Sequence, residues 1–259
     1  MIRWFEQRQV YAPTHEIEAR VESLGRPYQE VWLTTPDAVR LHALFFPAEP
    51  DAPRKHLALL VCHGNAGNLS TRLKYFQAWL ELGLNVLAFD YRGYGRSEGI
   101  PSEEGTYLDA QTAVAWLKEQ QGQRQGFPPD RILLLGKSLG GGIASELALR
   151  EPVGALILQS TFTSIPDLGC ELFPWLPVRR WHRIHYDTLQ KLPRIHTPVL
   201  VAHSTEDDLI GFHHAERNFA AANSPKMFLR IKGTHNSVLE DGRQAYLEGL
   251  NLFLKEHGA

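Results

Sequence analysis

Six short apolar runs, "HLALLVCHG", "NVLAFDYRG", "RILLLGKS", "GALILQS", "PVLVAHS" and "KMFLRIKG", alternate with segments of helical period along the chain. This alternation restricts the fold more than any other feature. A strand that is apolar on both faces must be covered on both, and a helix after each strand returns the chain to the same end of the sheet. A mostly parallel sheet between two helical layers is therefore predicted. Upstream, "YQEVWLTT" and "VRLHALFFP" flank the turn residues "PDA" and predict a hairpin, an antiparallel edge that brings the sheet to about eight strands. Ser70 is the expected N-cap of "TRLKYFQAWLEL", with Leu73, Phe76 and Leu80 on one face and Gly83 as its stop. Ala110, Ala113, Val114 and Leu117 stripe a second helix, ended by Gly122 and "GFPPD", and Tyr246, Leu250 and Phe253 stripe the last. Residues 161–197 break the alternation with aromatic and basic residues. They are too few for a domain, so they read as a small cap inserted into a single domain spanning 1–259.

The stretch "LLLGKSLGGG" at 133–142 poses a choice between a phosphate loop and a nucleophile turn. A phosphate loop needs a glycine five residues before Gly136, where the chain has Arg131, and the intervening residues are strand. The pattern G-x-S-x-G fits as Gly136-Lys137-Ser138-Leu139-Gly140, with a strand before it and a small-residue helix behind it. Such a turn exposes a serine hydroxyl at the top of a sheet.

In a parallel sheet, sites gather just past the carboxyl ends of strands. Reading only those positions yields "HGNAGN", "DYRGYGRSEG", Ser138, "HSTEDD" and "GTHN". A serine hydroxyl is a weak nucleophile until a base takes its proton, and His235 is the candidate base. Asp207 would hold that ring's tautomer and stabilise the imidazolium formed during attack. The oxyanion donors would be the backbone N–H groups of Leu139 and Asn65. The chemistry calls for no metal and no cofactor. Only one of the three acids Glu206, Asp207 and Asp208 is expected to face His235, with its neighbours turned away.

Other residues have blander readings. His63 would shape the oxyanion turn rather than act as a second base, and Asp90 follows a strand on the wrong side of the turn to serve as the acid. Arg92 and Glu98 read as loop staples. Lys137 is either an exposed residue without a role, the reading its position favours, or a charge for an anionic substrate. Cys62 and Cys170 match no metal-ligand spacing and read as idle thiols.

The ordered motifs "HGNAGN", "FDYRGYGRSEG", "GKSLGG", "QSTFTSIPDL", "HSTEDDLI" and "GTHN" resemble the Bem46 type of serine hydrolase, within the α/β-hydrolase superfamily, over residues 28–256. The resemblance implies an α/β-hydrolase fold, a Ser138–His235–Asp207 triad and esterase-like hydrolysis, with protein depalmitoylation in some eukaryotic members. Two features depart from the pattern: Ser204 stands where a glycine is common, and the N-terminal membrane anchor that many relatives carry is not expected here.

Composition narrows the partners. The chain is 43% hydrophobic with a formal net charge of −2, and its 27 Lys and Arg are scattered, so no footprint for nucleic acid is visible. The N-terminus lacks the apolar stretch of a signal peptide or membrane span, and a cytoplasmic location is expected. The expected activity is hydrolysis of small-molecule carboxylic esters with small to medium acyl groups. Phe162, Phe173, Trp175, Leu176 and Trp181 are candidates for the acyl pocket, and the oligomeric state stays open. Thioester hydrolysis is the alternative, because "VRRWHRIH" could pair with the phosphates of an acyl carrier, although the same run could be a solvated helix face. Peptide hydrolysis fits a small cap less well. A catalytically silent binding module is the alternative from another class.

Overall fold

The computed structural model describes residues 2–119 and 126–257. Eight strands form the central sheet: β1 (Gln29–Thr34), β2 (Arg40–Phe46), β3 (Ala58–Cys62), β4 (Asn85–Phe89), β5 (Ile132–Lys137), β6 (Ala155–Gln159), β7 (Val199–Ser204) and β8 (Lys226–Ile231). Their spatial order is β8-β7-β6-β5-β3-β4-β2-β1. All neighbours from β4 through β8 pair in parallel, whereas β2 runs antiparallel to both β1 and β4. The hairpin predicted from "PDA" is the β1–β2 edge.

Ten helices accompany the strands among the described residues: α1 (Ile2–Val10), α2 (Leu73–Leu80), α3 (Glu103–Lys118), α4 (Leu139–Arg150), α5 (Ile165–Leu172), α6 (Val178–Trp181), α7 (Thr188–Lys191), α8 (Phe212–Ala221), α9 (Val238–Asp241) and α10 (Arg243–His257). The central strands are buried throughout because alternate side chains feed two separate cores. Leu60, Ile132 and Leu134 join one core, while Leu59, Leu133 and Leu135 join the other on the opposite face. Cys62 is sealed in the first core, and burial pushes its thiol up to about 12. Cys170 is also free.

The stripes Leu73–Phe76–Leu80, Ala110–Ala113–Val114–Leu117 and Tyr246–Leu250–Phe253 are all buried. The cap before α2 differs from expectation. Asn68, not Ser70, caps a 3₁₀ turn at Leu69–Arg72, and its Oδ1 accepts from both the Ser70 amide and the Ser70 hydroxyl. An amide side chain reaching two donors at once displaces the single hydroxyl expected there. Helix α3 ends at Lys118, and Gly122 lies outside the described residues. No helix among the described residues is long and apolar enough to cross a membrane.

Candidate active site

Each candidate side chain stands at the carboxyl end of a strand: His63–Asn65 after β3, Ser138 after β5, Asp207 after β7 and His235 after β8. Ser138 adopts φ 54° and ψ −118°, a conformation that L-residues rarely hold and that costs on the order of 1–3 kcal/mol. Three hydrogen bonds impose it. The Ser138 amide donates to the Gln159 carbonyl at 2.9 Å, and its carbonyl accepts from the Gly141 amide at 2.9 Å and the Thr161 hydroxyl at 2.7 Å. Glycines permit the turn by close approach. A Cβ on Gly140 would fall on the Cys62 carbonyl, and one on Gly136 would fall on the Gly140 carbonyl. The small-residue run is thus what lets α4 start against β3 and β5.

Beside the turn, three carbonyls of the His63–Asn65 loop are held by fixed donors. Tyr91 Oη donates to the His63 carbonyl at 2.8 Å, His63 Nδ1 to the Gly64 carbonyl at 2.7 Å, and Tyr94 Oη to the Asn65 carbonyl at 2.8 Å. Because a trans peptide sets C=O and N–H on opposite sides, the Asn65 N–H points away from the Gly64 carbonyl. The Leu139 N–H is one of the unpaired donors of the first turn of α4. Asn65, Ser138 and Leu139 line one cavity of about 190 Å³. His63 is buried, and desolvation lowers its pKa to about 4, against the opposing pull of Asp90, so it is a neutral loop-shaping ring. Asp90 itself follows β4, two strands from β5 and on the side away from β7, and its Oδ1 accepts the Leu69 amide at 2.9 Å. Arg92 staples its loop through Asp109 at 2.8 Å and Asp37 at 2.8 Å, and Glu98 accepts the Gly93 amide on its carbonyl at 2.8 Å.

Asp207 and His235 meet directly, His235 Nδ1 standing 2.9 Å from Oδ2 and 3.1 Å from Oδ1. Oδ1 also accepts the backbone N–H groups of Leu209 at 3.0 Å and Ile210 at 2.8 Å. Burial alone would raise the Asp207 pKa, but the His235 hydrogen bond, that ring's charge and these amides outweigh it and hold the carboxyl below its ordinary value. The expectation that the neighbouring acids turn away is corrected. Asp208 Oδ1 accepts the His235 backbone N–H at 3.0 Å, and Glu206 Oε2 accepts the Gly233 N–H at 3.3 Å. Successive residues of a tight loop can point to one partner when that partner offers both ring and backbone donors. His203, absent from the sequence reading, lies 3.4 Å from Asp207 Oδ2 and donates its Nε2 proton to the Ile210 carbonyl at 2.8 Å.

Lys137 is also corrected: it is only 4% exposed. Its Nζ donates to the His235 carbonyl at 3.2 Å and to Asn236 Oδ1 at 3.4 Å, tying the His235 loop to the residue before Ser138. The signal in the sequence was available, since Lys137 continues a central strand covered on both faces. Burial, reinforced by the Arg72 charge and opposed by Asp207, lowers the Lys137 pKa to about 8 from an ordinary value of 10.5. Between those two values the unfolded chain binds the proton and the folded one does not, so stability rises with pH. The wild-type protein is expected to gain on the order of 3 kcal/mol across that window relative to Lys137→Met, at ~1.36 kcal/mol per unit. Parallel stability-versus-pH curves from denaturant melts of the two proteins would contradict this.

The cavity wall is mostly apolar. Phe162, Phe173, Leu176 and Trp181 line it together with Ile165, Leu168, Leu172 and Ile210. Trp175 does not. It is 73% exposed and packs edge-on against Phe173, with ring centroids 5.8 Å apart. Helix α1 supplies Glu6, Gln9 and Val10 to the lining, a contribution no local sequence signal announced.

Among the described residues, one group has a donor set that could hold a metal ion, Glu171, His213 and His214. The Thr163 amide donates to His214 Nδ1 at 3.1 Å, which leaves the proton on Nε2, 3.2 Å from Glu171. This ring is therefore set to donate to the carboxylate, an arrangement that joins α5 to α8 without an ion.

Comparison with known proteins accords with this architecture. Residues 58–181 match the family model described as alpha/beta hydrolase fold. The chain is 31% identical over 281 residues to the alpha/beta hydrolase domain-containing protein WAV2 of Arabidopsis thaliana, covering 98% of this chain and 88% of that protein. The chain belongs to the α/β-hydrolase family. An uncharacterized protein of Mycobacterium tuberculosis is 39% identical, with 99% of this chain and 90% of that protein covered. A solved esterase of Pyrococcus furiosus superposes with a TM-score of 0.76 at 20% identity, over 97% of this chain and 99% of its own, a likeness of fold.

Proposed function

We propose that this α/β-hydrolase cleaves carboxylic esters of small to medium acyl groups through an acyl-enzyme on Ser138. The observation that carries the proposal is the 2.9 Å contact between His235 Nδ1 and Asp207 Oδ2, supported by a strained serine that lines a mostly apolar cavity. Since Asp207 holds Nδ1, the other ring nitrogen is the one left to take the Ser138 proton as Oγ attacks the acyl carbon. The amides of Leu139 and Asn65 receive the oxyanion, each donor supplying roughly 3 kcal/mol of barrier lowering. The same imidazolium then protonates the departing alkoxide, and water hydrolyses the acyl-enzyme by the reverse sequence. No metal or cofactor takes part in this scheme, and a cytoplasmic location and the narrower Bem46 type of activity belong to the same proposal.

The test is a series of 4-nitrophenyl esters of increasing acyl length. Each added methylene that stays buried contributes about 0.8 kcal/mol, until the cavity ends. The specificity constant is expected to rise over short chains and fall at long ones. Trp181→Ala should move that optimum because Trp181 lines the cavity, whereas Trp175→Ala should leave it in place. A profile climbing steadily to palmitoyl would contradict the proposal and favour a lipase or depalmitoylase. In the basic run at 178–185, which would favour thioester hydrolysis, two side chains are engaged within the protein while Arg180 and Arg183 are exposed. Arg179 is paired with Asp167 at 3.0 Å, and His182 turns inward to Glu6 at 2.7 Å.

A further inference from the structure

We infer that the cavity holds a second recognition point, built by Glu6 and His182, that selects ligands ending in a hydrogen-bond donor, a hydroxyl or an ammonium group. This rests on reading the cavity as the ester pocket. Glu6 is 5% exposed and lines that cavity, together with His182 and otherwise mainly apolar side chains. Its Oε1 is fully engaged, accepting the backbone N–H groups of Arg183 and Ile184 at 2.8 Å each and standing 2.7 Å from His182 Nδ1. Those three contacts all fall on one oxygen. Among the described residues nothing pairs with Oε2.

His182 holds the inner side of this carboxylate. Its Nδ1 faces two acceptors, Glu6 Oε1 and the Ile184 carbonyl at 3.0 Å, so Nδ1 carries the proton. The other ring nitrogen, Nε2, lies toward α5, where a Cβ on Gly169 would be 3.6 Å away. Gly169 lines the cavity too. Among the described residues, then, a buried carboxylate oxygen without a protein donor stands in a mostly apolar cavity, with the His182 ring beside it. The complementary group is a donor.

The position sets where on a ligand that donor must sit. Helix α1 leads from Glu6 to Val10, and the Ala12 amide donates to the Asn65 carbonyl at 3.2 Å. Val10 therefore stands near the oxyanion loop, with Glu6 one helical turn, or ~6 Å, farther along the wall. The donor belongs at the far end of the chain that fills the pocket, not beside the scissile bond.

The probe is N-methyloctanamide, compared by calorimetry with its counterparts ending in hydroxyl, ammonium and carboxylate, all titrated into Ser138→Ala protein so that nothing turns over. The hydroxyl or ammonium form should bind about tenfold more tightly than the methyl-ended form, and the carboxylate form more weakly. Which of the two donors binds better identifies the natural end group. In Ser138→Ala/Glu6→Gln the preference should fall to near unity, because the amide keeps an oxygen for the backbone donors but can turn an N–H₂ toward the cavity. Affinity is read as a ratio within each protein, so loss of folded material does not imitate the effect. Equal binding of the methyl- and donor-ended amides to Ser138→Ala, or an undiminished preference after Glu6→Gln, would overturn the inference. Failure of the ester-hydrolase reading looks different: wild-type protein would leave esters intact while the donor preference persisted in the titrations.

Discussion

Ser138→Ala is expected to lose ester hydrolysis by a factor on the order of 10⁴ or more, since nucleophile, base and acid act as one unit. Stability should barely move. The Ser138 hydroxyl makes no hydrogen bond that holds the turn; the amide and carbonyl of residue 138 do that, through Gln159, Gly141 and Thr161. Alanine adopts the same strained φ at a similar cost, so both proteins should melt within a degree or two of each other, read by thermal denaturation beside the activity assay. Retention of more than a few per cent of turnover would mean that the chemistry lies elsewhere.

Asp207→Asn is expected to reduce kcat by about 10⁴. The amide keeps one oxygen for the Leu209 and Ile210 N–H groups, so the loop should survive. What changes is the partner of His235 Nδ1. An asparagine N–H₂ facing that nitrogen drives the proton to the other ring nitrogen, which then has no free lone pair to accept the serine proton. Asp208→Asn and Glu206→Gln should cost far less, because each holds a backbone N–H with an oxygen that the amide retains. The comparison is a set of kcat values at one pH. A loss at Asp208→Asn equal to that at Asp207→Asn would assign the acid wrongly.

Much of the fold was legible because central parallel strands announce themselves as apolar runs, and residues just past their carboxyl ends fall together whatever their separation in sequence. That rule groups Asp207 with His235, and the two are in hydrogen-bond contact. Ser138 could be singled out because the local pattern of glycines is what a sharp strand-to-helix turn demands. Features set by distant packing were not legible. Glu6 reaches Arg183 across 177 residues, and nothing in "IRWFEQRQV" distinguishes a helix closing a cavity from one lying on a surface. Trp175 and Trp181 are equally aromatic and six residues apart, yet only one lines the cavity, because the short turn between α5 and α6 aims them differently. For Lys137, a position beside the turn suggests exposure, but its place in a strand buried along its whole length outweighs that.

Ester hydrolysis by this chain depends most on Ser138 being an activated nucleophile. The direct measurement is intact-protein mass spectrometry after treatment with a fluorophosphonate, followed by peptide mapping. One adduct per chain, located at Ser138 and absent from Ser138→Ala and strongly slowed in Asp207→Asn, is the predicted result. An unlabelled wild-type protein, or a label on another residue with ester hydrolysis intact, would contradict it.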